Sequence, residues 1–398
     1  MSKAARELAR YEDAMVAVDG EFCIPQEENE ARYYIDLGPI LGQVRSPWIL
    51  AGKFLLFIPA MFLFILAIQL MKAGAAAVGP TIQGQFPFAN GLSTMGTGWL
   101  GAYLVLSGSP VAATAISLFG AGTTSVLQTF TMLSGSRLGA SFIVLLTGFL
   151  YAMRNPKARR EPLGIGIQAM TMTAITYLPG MLIGYFILRE GLLNGLNWHA
   201  SGKLEAAFSE VYGPFVDLAK AHLPGWALFV VGIATILLAF QLIDRVLPEM
   251  NSDSASRRSS WLKRPWTMFL LGCIVATLTL SVSVALTVLV PLAVKGYVRR
   301  DEALPYIMGA NITTLADTLV VAMLQHTPVA ARIVLAEAIG VTIVSLFILA
   351  FIYGPVKRGV IGFDDWLVAK NVRLAGFVAI LFIIPIALLL SGLAFSTA

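Results

Sequence analysis

The chain has 398 residues, of which 57% are hydrophobic and only 13% are charged. This composition excludes an ordinary soluble domain, in which about a quarter of the residues are charged. The net charge of +5 does not indicate nucleic-acid binding, because the basic residues cluster in short segments between apolar stretches, as in membrane proteins. The two cysteines predict neither a disulfide framework nor a metal site.

Several apolar stretches reach the roughly 20 residues that a helix needs to cross a bilayer. Residues 1–47 are polar and lack a signal-peptide pattern, and we predict that they form a cytoplasmic arm. The predicted spans, in chain order, are residues 48–71, 133–153, 163–188, 224–242, 303–324, 331–353 and 374–392.

The segments between the predicted spans differ in charge. Residues 189–224 are mildly acidic and predict an extracytoplasmic loop. Residues 244–265 and 354–373 are basic and predict cytoplasmic loops, because lysine and arginine concentrate on the inner side of membrane proteins.

Two further apolar stretches predict re-entrant helical hairpins. Residues 96–129 are too short and too rich in glycine for two spans, and Ser107, Gly108 and Ser109 fall at the expected tip. Residues 266–298 carry basic residues on both sides, so this second hairpin enters from the cytoplasm.

The two hairpins align when the sequence is shifted on itself by 281 − 107 = 174 residues. Leu106-Ser107-Gly108-Ser109 then falls on Leu280-Ser281-Val282-Ser283. The same register pairs three glycines, Gly98 with Gly272, Gly122 with Gly296 and Gly135 with Gly309. Such an internal repeat is typical of transporters that are built from two related halves.

These observations predict an all-α polytopic membrane protein with two inverted-topology repeats, because the charged segments place the ends of the two hairpins on opposite sides. Each repeat, residues 48–188 and 225–353, has the order span, re-entrant hairpin, span, span. Residues 354–398 add a cytoplasmic loop and one extra C-terminal span. We predict a plasma (inner) membrane location with the N-terminus in the cytoplasm and the C-terminus outside.

The hairpin tips and a second predicted helix break at Gly309-Ala-Asn-Ile-Thr-Thr supply candidate binding groups. Helix N-termini favour anions, and hydroxyl groups can donate to them. The predicted residues for a small anionic substrate are Ser107, Gly108, Ser109, Ser281, Ser283, Asn311 and Arg137. Oxygen ligands suit hard cations. The predicted sodium ligands are Asn311, Thr313, Thr314, Asp317 and Ser283, and Asp317 is expected in the first turn of a new helix.

Some polar residues within the predicted spans allow two interpretations. Arg137 is either a substrate or gate residue, or it extends to the outer interface from near the start of its span. Asp317 either binds a cation or proton, or pairs with a buried donor. Glu337 is expected at the outer interface, and Thr173 with its neighbouring threonines is expected to pack between helices.

The duplicated hairpin serines and the element that begins at Gly309 resemble the type II sodium-dependent phosphate cotransporter family. Its members carry Gln-Ser-Ser-Ser in each hairpin, followed by a Gly-(Ala/Ser/Thr)-Asn-Ile-Gly-Thr-type element. The resemblance covers about residues 95–150 and 270–350; the hairpin motifs here lack the Gln and the middle Ser, and Thr313 replaces a Gly. It implies symport of a small inorganic anion, most directly phosphate, with sodium as the coupling ion.

Other functions compete with this prediction. A different anion, such as a carboxylate or sulfate, and proton coupling through Asp317 are the main alternatives. A channel is less favoured, because hairpins that enter from opposite faces suit alternating access. An enzyme or an organic cofactor is not expected, since the predicted spans hold no paired catalytic carboxylates, no His-Glu-x-x-His motif and no Ser/His pair. The lipid bilayer is the other expected partner, and a homodimer is left open.

Overall fold

The computed structural model describes residues 47–82, 88–154, 160–198, 202–246, 264–279, 282–294, 298–325 and 327–396. Within these ranges the chain is helical and contains no β-strand. The predicted N-terminal arm, residues 1–47, lies almost entirely outside them, and so does most of the predicted linker at 244–265.

The helices that precede residue 190 are α1 (Pro47–Ile82), α2 (Gly91–Val105), α3 (Ser109–Gly120), α4 (Val126–Ala140), α5 (Phe142–Arg154) and α6 (Arg160–Arg189). Those that follow are α7 (Gly202–His222), α8 (Gly225–Val246), α9 (Pro265–Thr279), α10 (Val282–Thr287), α11 (Leu289–Val294), α12 (Arg300–Thr313), α13 (Leu315–Met323), α14 (Pro328–Phe347), α15 (Tyr353–Val368) and α16 (Asn371–Ser396). A π-helical turn, Ile348–Ile352, joins α14 to α15.

Among the described residues, six helical segments are long and apolar enough to cross a membrane, as expected for an integral membrane protein with several spans. They are Ile58–Ala77, Val126–Met153, Arg160–Arg189, Arg300–Met323, Pro328–Val368 and Asn371–Leu393.

Two of these segments are interrupted in the middle. α4 passes into α5 through a single turn residue, Ser141, and α12 passes into α13 through Thr314. An interruption of this kind releases main-chain carbonyl groups from the helical hydrogen-bond ladder. Such groups must find other partners inside a membrane protein.

The helices α2 and α3 form a short hairpin. Asn90 begins α2 with a capping box in which its side chain and that of Ser93 each accept from the other's main-chain N–H. The chain then reverses at Leu106, which adopts a left-handed conformation with φ 55°. At 15 and 12 residues, the two helices are each shorter than the roughly 20 residues of a span.

Close contact between α2 and α4 depends on two glycines. A Cβ added to Gly98 would lie 2.1 Å from the main-chain oxygen of Met132. A Cβ on Gly135 would lie 2.1 Å from the main-chain oxygen of Met95. Small residues at such positions let two helix backbones approach each other closely in membrane proteins.

The same arrangement recurs between α9 and α12. A Cβ on Gly272 would lie 2.1 Å from the main-chain oxygen of Tyr306, and one on Gly309 would lie 2.1 Å from that of Phe269. Each of these four residues lies 174 positions after its counterpart in the first pair (272 − 98 = 309 − 135 = 306 − 132 = 269 − 95). The two helix pairs therefore share both their sequence register and their point of contact.

The helix α6 packs against helices from both parts of the chain. It contacts α4 and α5, and it also contacts α12 and α14. The contact with α14 is close, because a Cβ on Gly340 would lie 2.1 Å from the main-chain oxygen of Gly180. This position lets side chains of α6 join polar groups that are distant in sequence.

Two segments that the sequence predicts as loops contain helices. α7 occupies much of residues 189–224, where Tyr212 packs on Phe62 of α1 with ring centroids 4.9 Å apart and Val216 is buried. α15 occupies residues within 354–373 and buries Val360 and Leu367. Both helices carry charged residues beside a buried apolar face, which the charge pattern alone does not reveal. The side of the membrane on which each segment lies stays a prediction.

The glycine contacts predict unequal effects of alanine substitution. Gly135→Ala and Gly309→Ala should each lower the free energy of unfolding by about 1–3 kcal/mol, because a methyl group would push two packed helices apart. Gly359→Ala is the matched control, since Gly359 lies in α15 with nothing within 4 Å of an added Cβ. It should be neutral or slightly stabilising. Thermal unfolding in detergent measures all three, and equal effects would contradict the packing account.

Candidate functional site

A buried ion pair joins α4 to α13. Arg137 Nη2 lies 3.2 Å from Asp317 Oδ1, and the two side chains are 1% and 5% exposed. Arg137 also donates to the hydroxyl group of Thr318, and its Nη1 lies 3.5 Å from the Ser109 hydroxyl at the start of α3. The guanidinium group therefore contacts both a carboxylate from late in the chain and the tip region of the first hairpin.

The burial of Arg137 follows from where α4 begins. A span that starts at residue 133 would put Arg137 near the interface, but α4 starts at Val126. Arg137 is thus 137 − 126 = 11 residues along the helix, which is about 16 Å. The alternative in which Arg137 extends to the outer interface is therefore wrong.

The local structure of Asp317 matches the sequence prediction. α13 restarts at Leu315, so Asp317 lies in its first turn. The main-chain N–H and the hydroxyl group of Thr318 both donate to Asp317 Oδ1. Asp317 Oδ2 has no hydrogen-bond partner among the described residues. Oδ1 thus already accepts hydrogen bonds from the protein, and Oδ2 is the oxygen that is available to a ligand.

Asn311 connects the two helix interruptions through α6. Its Nδ2 donates to Thr173 Oγ1 at 3.0 Å, and that oxygen lies 2.6 Å from the Ser141 hydroxyl at the α4–α5 interruption. Its main-chain carbonyl accepts a 2.7 Å hydrogen bond from Tyr177. Thr173 therefore takes part in a polar network instead of the pure packing that the sequence predicts. The atom that Asn311 offers a cation is its side-chain oxygen, since the amide nitrogen only donates hydrogen bonds.

The two threonines of the second interruption bond to the main chain. Thr314 Oγ1 donates to the carbonyl of Asn311 at 3.1 Å, and Thr313 Oγ1 lies 3.4 Å from the carbonyl of Gly309. Thr314 is buried and Thr313 is half-buried. Each hydroxyl group uses its proton in these contacts and keeps lone pairs that can face a cation.

The tip of the first hairpin packs against α4. A Cβ on Gly108 would lie 2.7 Å from the main-chain oxygen of Ser136, so this position requires glycine. Ser107, next to it, is half-buried. The corresponding second tip is not described: Ser281 lies outside the described residues, and so does the side chain of Ser283. The sodium and substrate roles of these two serines stay predictions.

A second buried carboxyl group lies close to the ion pair. Glu337 on α14 is 0% exposed, and its Oε2 lies 2.5 Å from the hydroxyl of Ser134, one turn before Arg137 on α4. The predicted interfacial position of Glu337 is wrong. α14 begins at Pro328, so Glu337 lies 337 − 328 = 9 residues inside the helix, which is about 14 Å.

Another charged cluster lies at the start of α12. Arg300 Nη1 is 2.9 Å from both Asp364 Oδ2 and Asp365 Oδ1 on α15, and Gln168 of α6 donates to Asp364 at 3.0 Å. Gly164 makes room for this contact, since a Cβ there would lie 2.8 Å from Asp364 Oδ2. The hydrogen bonds and ion pairs of this cluster connect α6, α12 and α15.

Comparisons of the chain with protein-family models, curated proteins and solved structures found no match. The site is therefore interpreted from its own geometry. That geometry brings Ser109, Arg137 and Asp317 together, and it links Asn311 and Thr314 at the neighbouring interruption. Tyr177 lies within electrostatic reach of Arg137 and Asp317 as well as bonding to Asn311, so it adjoins both groups.

The ion pair predicts a non-additive effect on stability. Arg137→Gln and Asp317→Asn should each lower the free energy of unfolding, by up to about 3–5 kcal/mol, because each removes the partner that a buried charge has in the structure. The double variant should recover most of this loss, since it buries no charge. Denaturant unfolding of the purified protein in detergent measures the cycle.

The control is an exposed pair of the same length. Lys220 Nζ lies 3.2 Å from Asp217 Oδ1, and these side chains are 52% and 74% exposed. Neutralising them should change stability by less than about 1 kcal/mol. If the double variant of Arg137 and Asp317 loses as much free energy of unfolding as the two single variants together, the two residues are not each other's main partners.

Proposed function

We propose that this chain is a secondary active transporter that carries a small inorganic anion, most directly phosphate, together with sodium. Transport would proceed by alternating access between two inverted repeats. The observation that carries the proposal is the buried Arg137–Asp317 pair, which places one positive and one negative group beside the tip region of a hairpin.

The repeat architecture has support from three features. The glycine contacts of α2 with α4 and of α9 with α12 follow one register of 174 residues. The second helix of each pair ends at an interruption, and the interruptions at Ser141 and Thr314 differ by 314 − 141 = 173 residues. The basic segments favour opposite orientations of the two halves. Discontinuous helices at the interface of two inverted repeats are where secondary transporters bind substrate and ions.

The ion pair supplies a physical reason for coupled binding. An anion that takes Arg137 alone leaves Asp317 as an uncompensated buried charge. A cation that takes Asp317 alone leaves Arg137 without the partner that it has in the structure. Binding of either ion alone costs several kcal/mol, whereas binding of both ions replaces one ion pair by two. The site therefore favours joint binding of the anion and the cation over binding of either one alone.

The anion would bind between Arg137 and the first hairpin. Ser109 offers a hydroxyl donor 3.5 Å from Arg137 Nη1. The free N–H groups in the first turn of α3 add the positive end of a helix dipole. Ser107 and Gly108 form the tip, and the absence of a side chain at Gly108 keeps that backbone against α4.

The cation would bind beside Asp317. The free Oδ2 of Asp317 is the charged ligand, and the side-chain oxygen of Asn311 with the hydroxyl oxygens of Thr313 and Thr314 provide neutral ligands from the same interruption. Ser283 of the second hairpin completes the predicted set. Carboxylate, amide and hydroxyl oxygens are the ligands that hard cations prefer. In the alternative of a proton-coupled transporter, Asp317 would accept the proton.

Uptake by the purified protein in proteoliposomes tests the proposal. We expect an inward sodium gradient to drive accumulation of labelled phosphate, or of sulfate or a carboxylate if the anion differs. Asp317→Asn should abolish accumulation, because the charged cation ligand is gone. Ser109→Ala should raise the apparent KM for the anion by about 5-fold to 100-fold, which corresponds to the 1–3 kcal/mol lost when a charged group loses one hydrogen bond.

Ser136→Ala is the matched control, because Ser136 is also buried and its hydroxyl bonds, among the described residues, only to the carbonyl of Leu133. It should leave the KM unchanged. Accumulation driven by a proton gradient and indifferent to sodium would favour the alternative of proton coupling. Uptake that no cation gradient can drive uphill would contradict symport altogether.

A further inference from the structure

Glu337 is a buried acidic group to which the coupling scheme above gives no role. Two titratable groups interact with it from helices that pack against α14, Arg137 on α4 and Tyr177 on α6. Asp317 on α13, which also packs against α14, is paired with Arg137. On its own helix, Arg332 is directed away and donates to the carbonyl of Leu196. The guanidinium group of Arg137 therefore interacts with two carboxyl groups, those of Asp317 and Glu337.

The hydrogen bonds of Ser134 indicate where a proton lies. Its hydroxyl oxygen is 3.0 Å from the carbonyl of Phe130 and 2.5 Å from Glu337 Oε2. A hydroxyl group has a single proton, so it can donate to only one of these two acceptors. If Glu337 carries a proton, it donates to Ser134 and Ser134 donates to Phe130, so that both short contacts become hydrogen bonds. If Glu337 is ionised, only one of the two contacts of Ser134 is a hydrogen bond.

The charges of the site also indicate that Glu337 carries a proton. Arg137 is paired with Asp317 at 3.2 Å, so a second ionised carboxylate would be buried without a counter-ion, which is strongly disfavoured. At the same time, Arg137 Nε and Glu337 Oε1 have no hydrogen-bond partner in the part of the chain that the structure describes. If Arg137 loses Asp317 as its partner, Glu337 is thus the remaining carboxyl group of this site that can form an ion pair with it.

We propose that Glu337 is a proton-binding site whose occupancy depends on the Arg137–Asp317 pair. It holds a proton while that pair is closed, and it releases the proton to water when Arg137 has lost Asp317 and has no anion in its place. An ionised Glu337 then competes with the anion for Arg137. The role in transport rests on the proposed function, whereas the presence of the proton does not.

Infrared difference spectroscopy of the full chain in lipid tests the proton directly. At neutral pH the wild type should show the carbonyl band of a buried protonated carboxyl group. Glu337→Gln should remove that band. Asp317→Asn should remove it as well, because Arg137 is then free to stabilise an ionised Glu337. Glu190→Gln, at the exposed end of α6, is the matched control and should leave the band in place.

Each outcome decides between the possibilities. A band that is absent from the wild type, or that survives Glu337→Gln, overturns the proton site. A band that is lost in Glu337→Gln but kept in Asp317→Asn overturns its link to the ion pair. The elution profile and thermal unfolding of each variant confirm that it is folded, and the spectra need no substrate, so they decide the matter even if no transport is found.

The pH dependence of uptake tests the competition. Raising the pH should reduce anion uptake by the wild type several-fold, since an ionised Glu337 occupies Arg137. Glu337→Gln cannot ionise, so its uptake should be independent of pH over the same range. A Glu337→Gln variant with the wild-type pH profile would show that Glu337 does not compete with the anion.

Discussion

The structure depends on burying the charge of Arg137 inside a helical membrane protein. Moving an ion from water into a low-dielectric interior costs several kcal/mol, and a partner charge offsets this only when the geometry is good. Asp317 provides the partner, Thr318 orients the carboxylate, and Ser109 brings in the hairpin. Such a pair adds little net stability compared with apolar side chains of the same size. Its function is therefore better sought in what can replace it, which in the proposed function is one anion and one cation.

The surrounding helices place these groups through close backbone contacts. Gly135 sits between Ser134 and Arg137 on α4 and brings α2 against the opposite side of that helix. The interruption before Leu315 gives Asp317 a helix N-terminus whose dipole favours a negative charge. Tyr177 and its helix then satisfy the carbonyl that this interruption releases. Small residues, a helix break and a buried ion pair thus form one connected arrangement.

The sequence predicted those parts of the fold and of the site that depend on local composition. The long apolar stretches, the short first hairpin and the first-turn position of Asp317 follow from residue type and spacing. Helix starts were predicted less well, because α4 extends seven residues before residue 133 (133 − 126 = 7) over a stretch of mixed polarity. A Ser125–Gln128 capping box satisfies main-chain N–H groups at that start. That error placed Arg137 at an interface. For Glu337, the small residues Ala336 and Gly340 around it are a sign of close helix packing that the prediction of an interfacial position did not use.

In the proposed function, the Arg137–Asp317 pair links binding of the anion to binding of sodium. Equilibrium binding of labelled phosphate and of sodium to the purified protein tests it most directly, because linked sites must affect each other by the same factor. We expect sodium to tighten phosphate binding by about 10-fold or more, phosphate to tighten sodium binding equally, and the Arg137→Gln/Asp317→Asn double variant to lose both effects. Phosphate and sodium that bind the wild type independently of each other would contradict the account.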